Sequence, residues 1–258
     1  DEKPMELLRE GAKDLGLTLS PGHIDQFERY YQELRAWNQR FNLTAITGYQ
    51  EVQIKHFLDS LTCLLAFPRG AGDDSIPDTV PVQIGSRSLW CVDVGSGAGF
   101  PGLPIKIMLP EAEVTLIEAT GKKVTFLQHM VRVLGLEHVN VLRARAEEVG
   151  RLPEHRERYD IVVARAVAHL GVLAEYCLPL LRVGGRMIAP KGEEADKEAE
   201  AAGRAVEVLG GRLVGVKPVH LPGIDSERYL VVVDKVGKTP DDYPRRTGIP
   251  SKRPLQNE

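Results

Sequence analysis

The chain has 258 residues, 43% hydrophobic and 27% charged, with 33 basic against 36 acidic side chains and a net charge of −3. This composition excludes a disordered chain and does not announce a strongly basic nucleic-acid binder, while the length admits one large α/β domain plus a smaller appendage. Cys63, Cys91 and Cys177 form no C-x-x-C pair and the histidines no H-E-x-x-H. Neither a disulfide framework nor a metal site is therefore expected; with no apolar run of membrane-spanning length, the expectation is a soluble, cytoplasmic protein without membrane partners.

The first seventy residues read as helices. Leu8, Ala12 and Leu15 share one helical face, and Gly16 supplies a C-terminal stop. Ser20-Pro21 supplies an N-cap and a first-turn proline for a helix carrying Ile24, Phe27, Tyr30, Leu34 and Trp37. Asn42-Leu43-Thr44 breaks the pattern. Thr47 with Gln50 resembles a capping box opening a helix with Val52, Phe57, Leu58, Leu61 and Leu65, ended by Pro68. Residues 68–88 are rich in Pro, Gly, Asp and Ser and read as a linker or surface excursion.

After Leu89 short β-rich runs alternate with helices. Strands are predicted at 89–94, 113–118, 139–143, 159–164, 186–190, 212–217 and 228–233. Helices are predicted at Leu103–Leu109, Thr120–Leu134 (capped by Gly135), Leu170–Leu181 and 193–209. Alternation implies a mostly parallel sheet with helices on both faces. The last two strands have no helix between them and should pair antiparallel at the end of the sheet. From Tyr243 onward the chain carries Arg245, Arg246, Lys252 and Arg253 against Glu258, a basic tail.

The most informative stretch is Asp93-Val94-Gly95-Ser96-Gly97-Ala98-Gly99-Phe100-Pro101-Gly102, between a hydrophobic strand and a helix. Its glycines permit a tight turn and close approach of a ligand to the backbone. Gly97-x-Gly99-x-x-Gly102 satisfies the dinucleotide pattern of NAD-dependent oxidoreductases. Against that, Pro101 and Pro104 remove N–H donors a pyrophosphate would need, and the Asp93 carboxylate would not help bind one. The register Asp93-x-Gly95-x-Gly97-x-Gly99 resembles the first motif of S-adenosylmethionine-dependent methyltransferases of the Rossmann-like class. Glu118 and Ala119 then close the second strand, where such folds place an acid on the ribose hydroxyls. Ala146-Glu147 sits either beside an adenine or merely in an acid-rich first helical turn.

Taken with Asn42-Leu43-Thr44, His56-x-x-Asp59-Ser60, Gly121-Lys122-Lys123, Arg145-Ala146-Glu147, Arg165-Ala166, Pro190-Lys191-Gly192 and the tail Tyr243–Leu255, the loop resembles the RsmG (GidB) family over roughly residues 25 to 255. These are bacterial 16S rRNA guanine-N7 methyltransferases. The resemblance implies a helical appendage (1–67), a linker (68–88), an S-adenosylmethionine-binding methyltransferase domain (89–236) and a basic tail (237–258). It implies cofactor contacts from Asp93, Gly95, Ser96, Gly97, Gly99, Phe100, Glu118, Ala119, Ala146, Glu147 and Arg165. Arg165 and Asn42 are the candidate catalytic residues, and Arg145, Lys191, Arg228, Arg245 and Arg246 the candidate RNA contacts. Glu118 stands where many members have aspartate, and the linker is longer than expected.

The implied function is methylation of guanine N7 in 16S rRNA, alone or in the small subunit, by a monomer. Guanine N7 carries its own lone pair, so no base is required and catalysis rests on in-line positioning. Other readings stay open. Arg165 could instead be a strand-end arginine paired with a carboxylate, Asn42 a helix-ending turn, and His56 with Asp59 a tie between appendage and sheet. The alternatives for the whole chain are an NAD-dependent oxidoreductase and a non-catalytic RNA-binding module.

Overall fold

A computed structural model describes residues 3–68, 88–224 and 226–255. Among them, β1 (Trp90–Val94), β2 (Glu113–Glu118), β3 (Val139–Arg143), β4 (Tyr159–Val163), β5 (Leu181–Lys191), β6 (Gly211–Val219) and β7 (Arg228–Lys235) form one sheet, ordered β3-β2-β1-β4-β5-β7-β6. The first five strands are parallel, and β7 inserts antiparallel between β5 and the edge strand β6. This is a Rossmann-like, mostly parallel sheet with an antiparallel strand near one edge. The strand order reverses between β1 and β4, which opens a crevice at the carboxyl ends of the strands.

Helices cover both faces. On one side lie α1 (Glu6–Asp14), α2 (Pro21–Phe41), α3 (Tyr49–Val52), α4 (Asp59–Leu61), α5 (Gly102–Met108) and α6 (Gly121–Val133). On the other lie α7 (Ala146–Val149), α8 (Leu170–Cys177), α9 (Ala195–Ala201) and α10 (Gly203–Val208), with α11 (Ile249–Lys252) in the tail. Strand alternation feeds the two cores: Ile161 and Val163 join the first, Val162 and Ala164 the second. Met5, Leu8, Phe27, Tyr30, Phe57 and Leu61 share the first core with Leu116 and Val163, so the N-terminal helices build one face of the sheet domain. The predicted linker, apart from its ends, falls outside the described residues.

Several boundaries differ from the sequence reading. Thr47 does not cap α3; Gly48 holds the N-cap position, and the Thr47 carbonyl accepts from the Tyr31 hydroxyl at 3.4 Å. The helix expected through residue 67 is π-helical over Gln53–Leu58 and tightens to a 3₁₀ turn over Thr62–Ala66. α8 stops at Cys177, because Pro179 has no N–H to continue it; a 3₁₀ turn at Leu178–Leu180 leads into a longer β5. The predicted helix 193–209 divides at Ala202. Ser20 and Gly135 act as foreseen: Ser20 Oγ accepts from His23 N, and Gly135 takes φ +63° after α6.

Candidate functional site

The glycine loop leaves β1 with Gly95, Gly97 and Gly99 at φ +73°, +58° and +99°, a left-handed run that side chains with a Cβ rarely adopt. Most of its N–H groups are spent inside the chain. Gly95 and Ser96 donate to the Ile117 carbonyl, Gly97 to Glu118 Oε2 (2.9 Å), and Gly99 and Phe100 to the Ser96 carbonyl. Gly102 donates to Asp93 Oδ2 at 2.9 Å and Leu103 to the Gly99 carbonyl. With Pro101 and Pro104 lacking N–H altogether, the opening of α5 has no donors to offer a pyrophosphate. That geometry argues against the dinucleotide reading.

Two residues shape the loop. Asp93 is fully buried beneath it, and burial raises its carboxyl to about 7. Its Oδ1 is buried without a hydrogen-bond partner. Glu118 bridges the ends of β1 and β2, accepting from Gly97 N through Oε2 and from Thr120 N through Oε1 (2.7 Å). A Cβ on Gly97 would meet only the Gly95 carbonyl, at 3.9 Å, so the space over this glycine is open. A Cβ on Gly99 would collide with the Tyr30 hydroxyl. That hydroxyl donates to the Ala98 carbonyl at 2.6 Å and pins the loop to α2.

Beside the loop, Arg165 follows β4 and turns back to the π-helical segment. Its Nη1 donates to Asp59 Oδ2 (2.6 Å) and to the Lys55 carbonyl (3.1 Å), and its Nη2 donates to His56 Nδ1 (3.1 Å). Because Nδ1 accepts, the His56 proton sits on Nε2, which donates to Thr44 Oγ1 at 2.8 Å. Burial, then the Arg165 charge, holds the His56 imidazole down at about 3, so it is neutral at physiological pH. The His56 ring stacks on Phe100 at 4.4 Å, and the Arg165 guanidinium lies 5.2 Å from the same ring. Arg228, at the start of β7, brings Nε within 4.0 Å of Asp59 Oδ1. Asn42 is exposed and closes α2 in the left-handed conformation (φ 48°), the geometry of a helix-ending turn.

A family model described as GidB, rRNA small subunit methyltransferase G, matches residues 23–228. The chain belongs to that family. A ribosomal RNA small subunit methyltransferase G from Roseiflexus castenholzii is 53% identical over 97% of this chain and 99% of its own. One from Pelotomaculum thermopropionicum is 48% identical over 97% and 98%, and one from Lactobacillus delbrueckii subsp. bulgaricus 45% over 97% and 99%.

In this chain the remaining candidates divide by exposure. Arg145 and Arg246 are exposed, and Arg228 is about one-third exposed (36%). Lys191 and Arg245, expected to face RNA, turn inward instead. Lys191 Nζ bonds the Ala168 carbonyl and Glu198 Oε2, each at 2.7 Å. Arg245 forks onto Glu175, which is 1% exposed and needs a cation to be buried. Ala146 and Glu147 are buried at the start of α7, and Glu147 Oε1 accepts from Gly248 N at 3.0 Å. Ala119 lies just beyond Glu118 and is half-buried. The sequence reading missed Tyr30, Arg156 and Glu175. Tyr30 was visible on the apolar face of α2, but its hydroxyl partner is 68 residues away.

Among the described residues no helix is long and apolar enough to cross a membrane, and no group of three or more His, Cys, Asp or Glu side chains could hold a metal ion.

Proposed function

We propose that this chain transfers a methyl group from S-adenosylmethionine to N7 of a guanine in 16S rRNA. The observation that carries the reading is the open space above Gly97, flanked by the Glu118 carboxylate and followed by a helix opening whose N–H groups are engaged or absent. The residues fit the cofactor. Each Glu118 oxygen can accept a second bond from ribose hydroxyls while holding the loop, and Gly95, Gly97 and Gly99 leave the backbone bare of side chains. Ala146 and Glu147 would flank the adenine, while Asp93 shapes the loop from beneath. When bound, the cofactor supplies a sulfonium-activated methyl group.

The chain's own residues then bind and orient. Neutral guanine offers the N7 lone pair, so no proton need be removed before attack. His56 is unsuited to serve as a base, since Nδ1 accepts from Arg165 and Nε2 donates to Thr44. Arg165 is spent on Asp59, Lys55 and His56, a fixed charge that shapes the crevice wall. Asp59, lying between Arg165 and Arg228, balances part of their charge, which would otherwise oppose the cation developing on guanine. Exposed Arg145 and Arg246, with the partly exposed Arg228, supply phosphate contacts, which makes RNA affinity salt-dependent. We place the reaction in the cytoplasm and assign the catalytic unit as a single chain.

The test incubates the protein with methyl-labelled S-adenosylmethionine and unmethylated small subunits, then maps the modified base. Label at N7 of one guanine is expected. Label on another atom, or binding of NADH in place of S-adenosylhomocysteine, overturns the assignment.

A further inference from the structure

The stretch from Thr239 to Leu255, read from sequence as a basic tail, folds back onto α7 and α8. Arg156 grips it through its backbone: Nη1 donates to the carbonyl of Tyr243 (2.6 Å) and Nη2 to those of Thr239 (2.9 Å) and Pro240 (3.1 Å), while Nη1 also bonds the Gly150 carbonyl at the end of α7 (3.1 Å). Glu157 Oε1 accepts from Thr239 N at 2.8 Å. Further along, Arg245 clasps Glu175 with its side chain and with its own N–H, at 2.6 Å and 2.8 Å. Pro244 and Pro250 are buried. Gly248, at φ +82°, then directs its N–H onto Glu147 Oε1.

We propose that this strap is a positioning device for cofactor recognition, in which Gly248 orients the Glu147 carboxylate and Arg245 anchors the strap to α8. The inference rests on the reading that Glu147 lies beside the adenine of the adenosyl group. A glutamate has several rotamers, and only some present its carboxylate to a neighbouring ligand. The Gly248 N–H, delivered by a backbone that Arg156 and Arg245 hold in place, selects among them before the ligand arrives, so the adenosyl group need not bear that ordering cost. The left-handed φ explains the glycine at 248; a Cβ there would meet nothing within 4 Å, so conformation rather than space is the constraint.

The test compares Gly248→Val, which disfavours the positive φ and draws the N–H away, with Gly248→Asn, which tolerates that φ and keeps the donor. By calorimetry Gly248→Val is expected to weaken S-adenosylhomocysteine binding about tenfold, and Gly248→Asn by no more than about twofold. KM for S-adenosylmethionine should rise in the valine variant while kcat at saturating cofactor stays unchanged. Should the valine variant not fold, Arg245→Lys, which keeps the charge but loses the fork, is expected to weaken binding about threefold. Equal affinity in the valine and asparagine variants, or a lowered Tm without a change in Kd, overturns the proposal. Glu147→Ala separates the two readings. Unchanged affinity in that variant removes the assignment of Glu147 itself, whereas weakened affinity beside a native Gly248→Val removes the strap alone.

Discussion

Arg165 and Asp59 stand 106 residues apart in sequence and share a hydrogen-bonded ion pair of 2.6 Å. The pair joins the end of β4 to the N-terminal helices at the crevice. Both side chains are largely withdrawn from water, at 15% and 8% exposure. Asp59→Asn leaves Arg165 and Arg228 without their shared counter-charge and is expected to cost about 3 kcal/mol in urea unfolding. Arg165→Lys keeps the charge but cannot reach Asp59, Lys55 and His56 together, so methyl transfer should fall even where the protein remains folded. A native midpoint in Asp59→Asn would show that the pair contributes no net stability.

Tyr30 offers a smaller and cleaner probe. Tyr30→Phe deletes one buried hydroxyl, leaves the ring stacked near Phe100, and frees the Ala98 carbonyl. We expect a loss of about 1 kcal/mol and a few-fold weaker binding of S-adenosylhomocysteine, because the glycine loop loses its tie to α2. Thermal unfolding and calorimetry measure the two effects; a change in Tm with unaltered affinity would show that the loop holds its shape unaided.

Gly97 should separate binding from folding. Its left-handed φ is one that Asp tolerates better than most residues, and the space beyond its Cα is open. Gly97→Asp is therefore expected to cost only about 1 kcal/mol of stability while filling the cradle with charge and abolishing cofactor binding. Retained affinity for S-adenosylhomocysteine in the folded variant would refute the assignment of this loop.

Asp93 and His56 impose opposite pH dependences. With His56 depressed to about 3 from the usual 6.5, the unfolded chain binds the extra proton between those values, and stability drops as pH falls through that window. With Asp93 raised to about 7 from 3.8, the folded chain binds the extra proton, and stability drops as pH rises from 3.8 to 7. The two slopes offset one another. Asp93→Asn should thus unmask a loss of stability on acidification, and His56→Gln a loss on approach to neutrality. Urea midpoints between pH 4 and 8 measure both; parallel profiles in the two variants would contradict the assignment.

Local rules made most of the architecture legible. Strand after strand was readable because β-branched runs alternate with helices, and the ends of α2 and α6 because Ser20-Pro21 and Gly135 act through neighbouring atoms. Boundaries failed where distant packing overrode local preference. Gln53 accepts from Leu8 N across 45 residues inside the π-helical segment that was read as ordinary α-helix. Charge was harder to read than shape. Arg245 and Lys191 look like RNA contacts in a sequence, yet Glu175 and Glu198 take them inward.

From its order of residues alone, this protein's parallel sheet, its glycine turn and its acid at the end of β2 could be derived, because each depends on backbone preferences spanning a few positions. Tertiary structure alone decided which cations face outward, that His56 accepts from Arg165, and that the tail returns to hold Glu147. Those outcomes depend on burial: a carboxylate withdrawn from water requires a partner, and the partner that reaches it is chosen by the packing of helices and strands, at any distance along the chain.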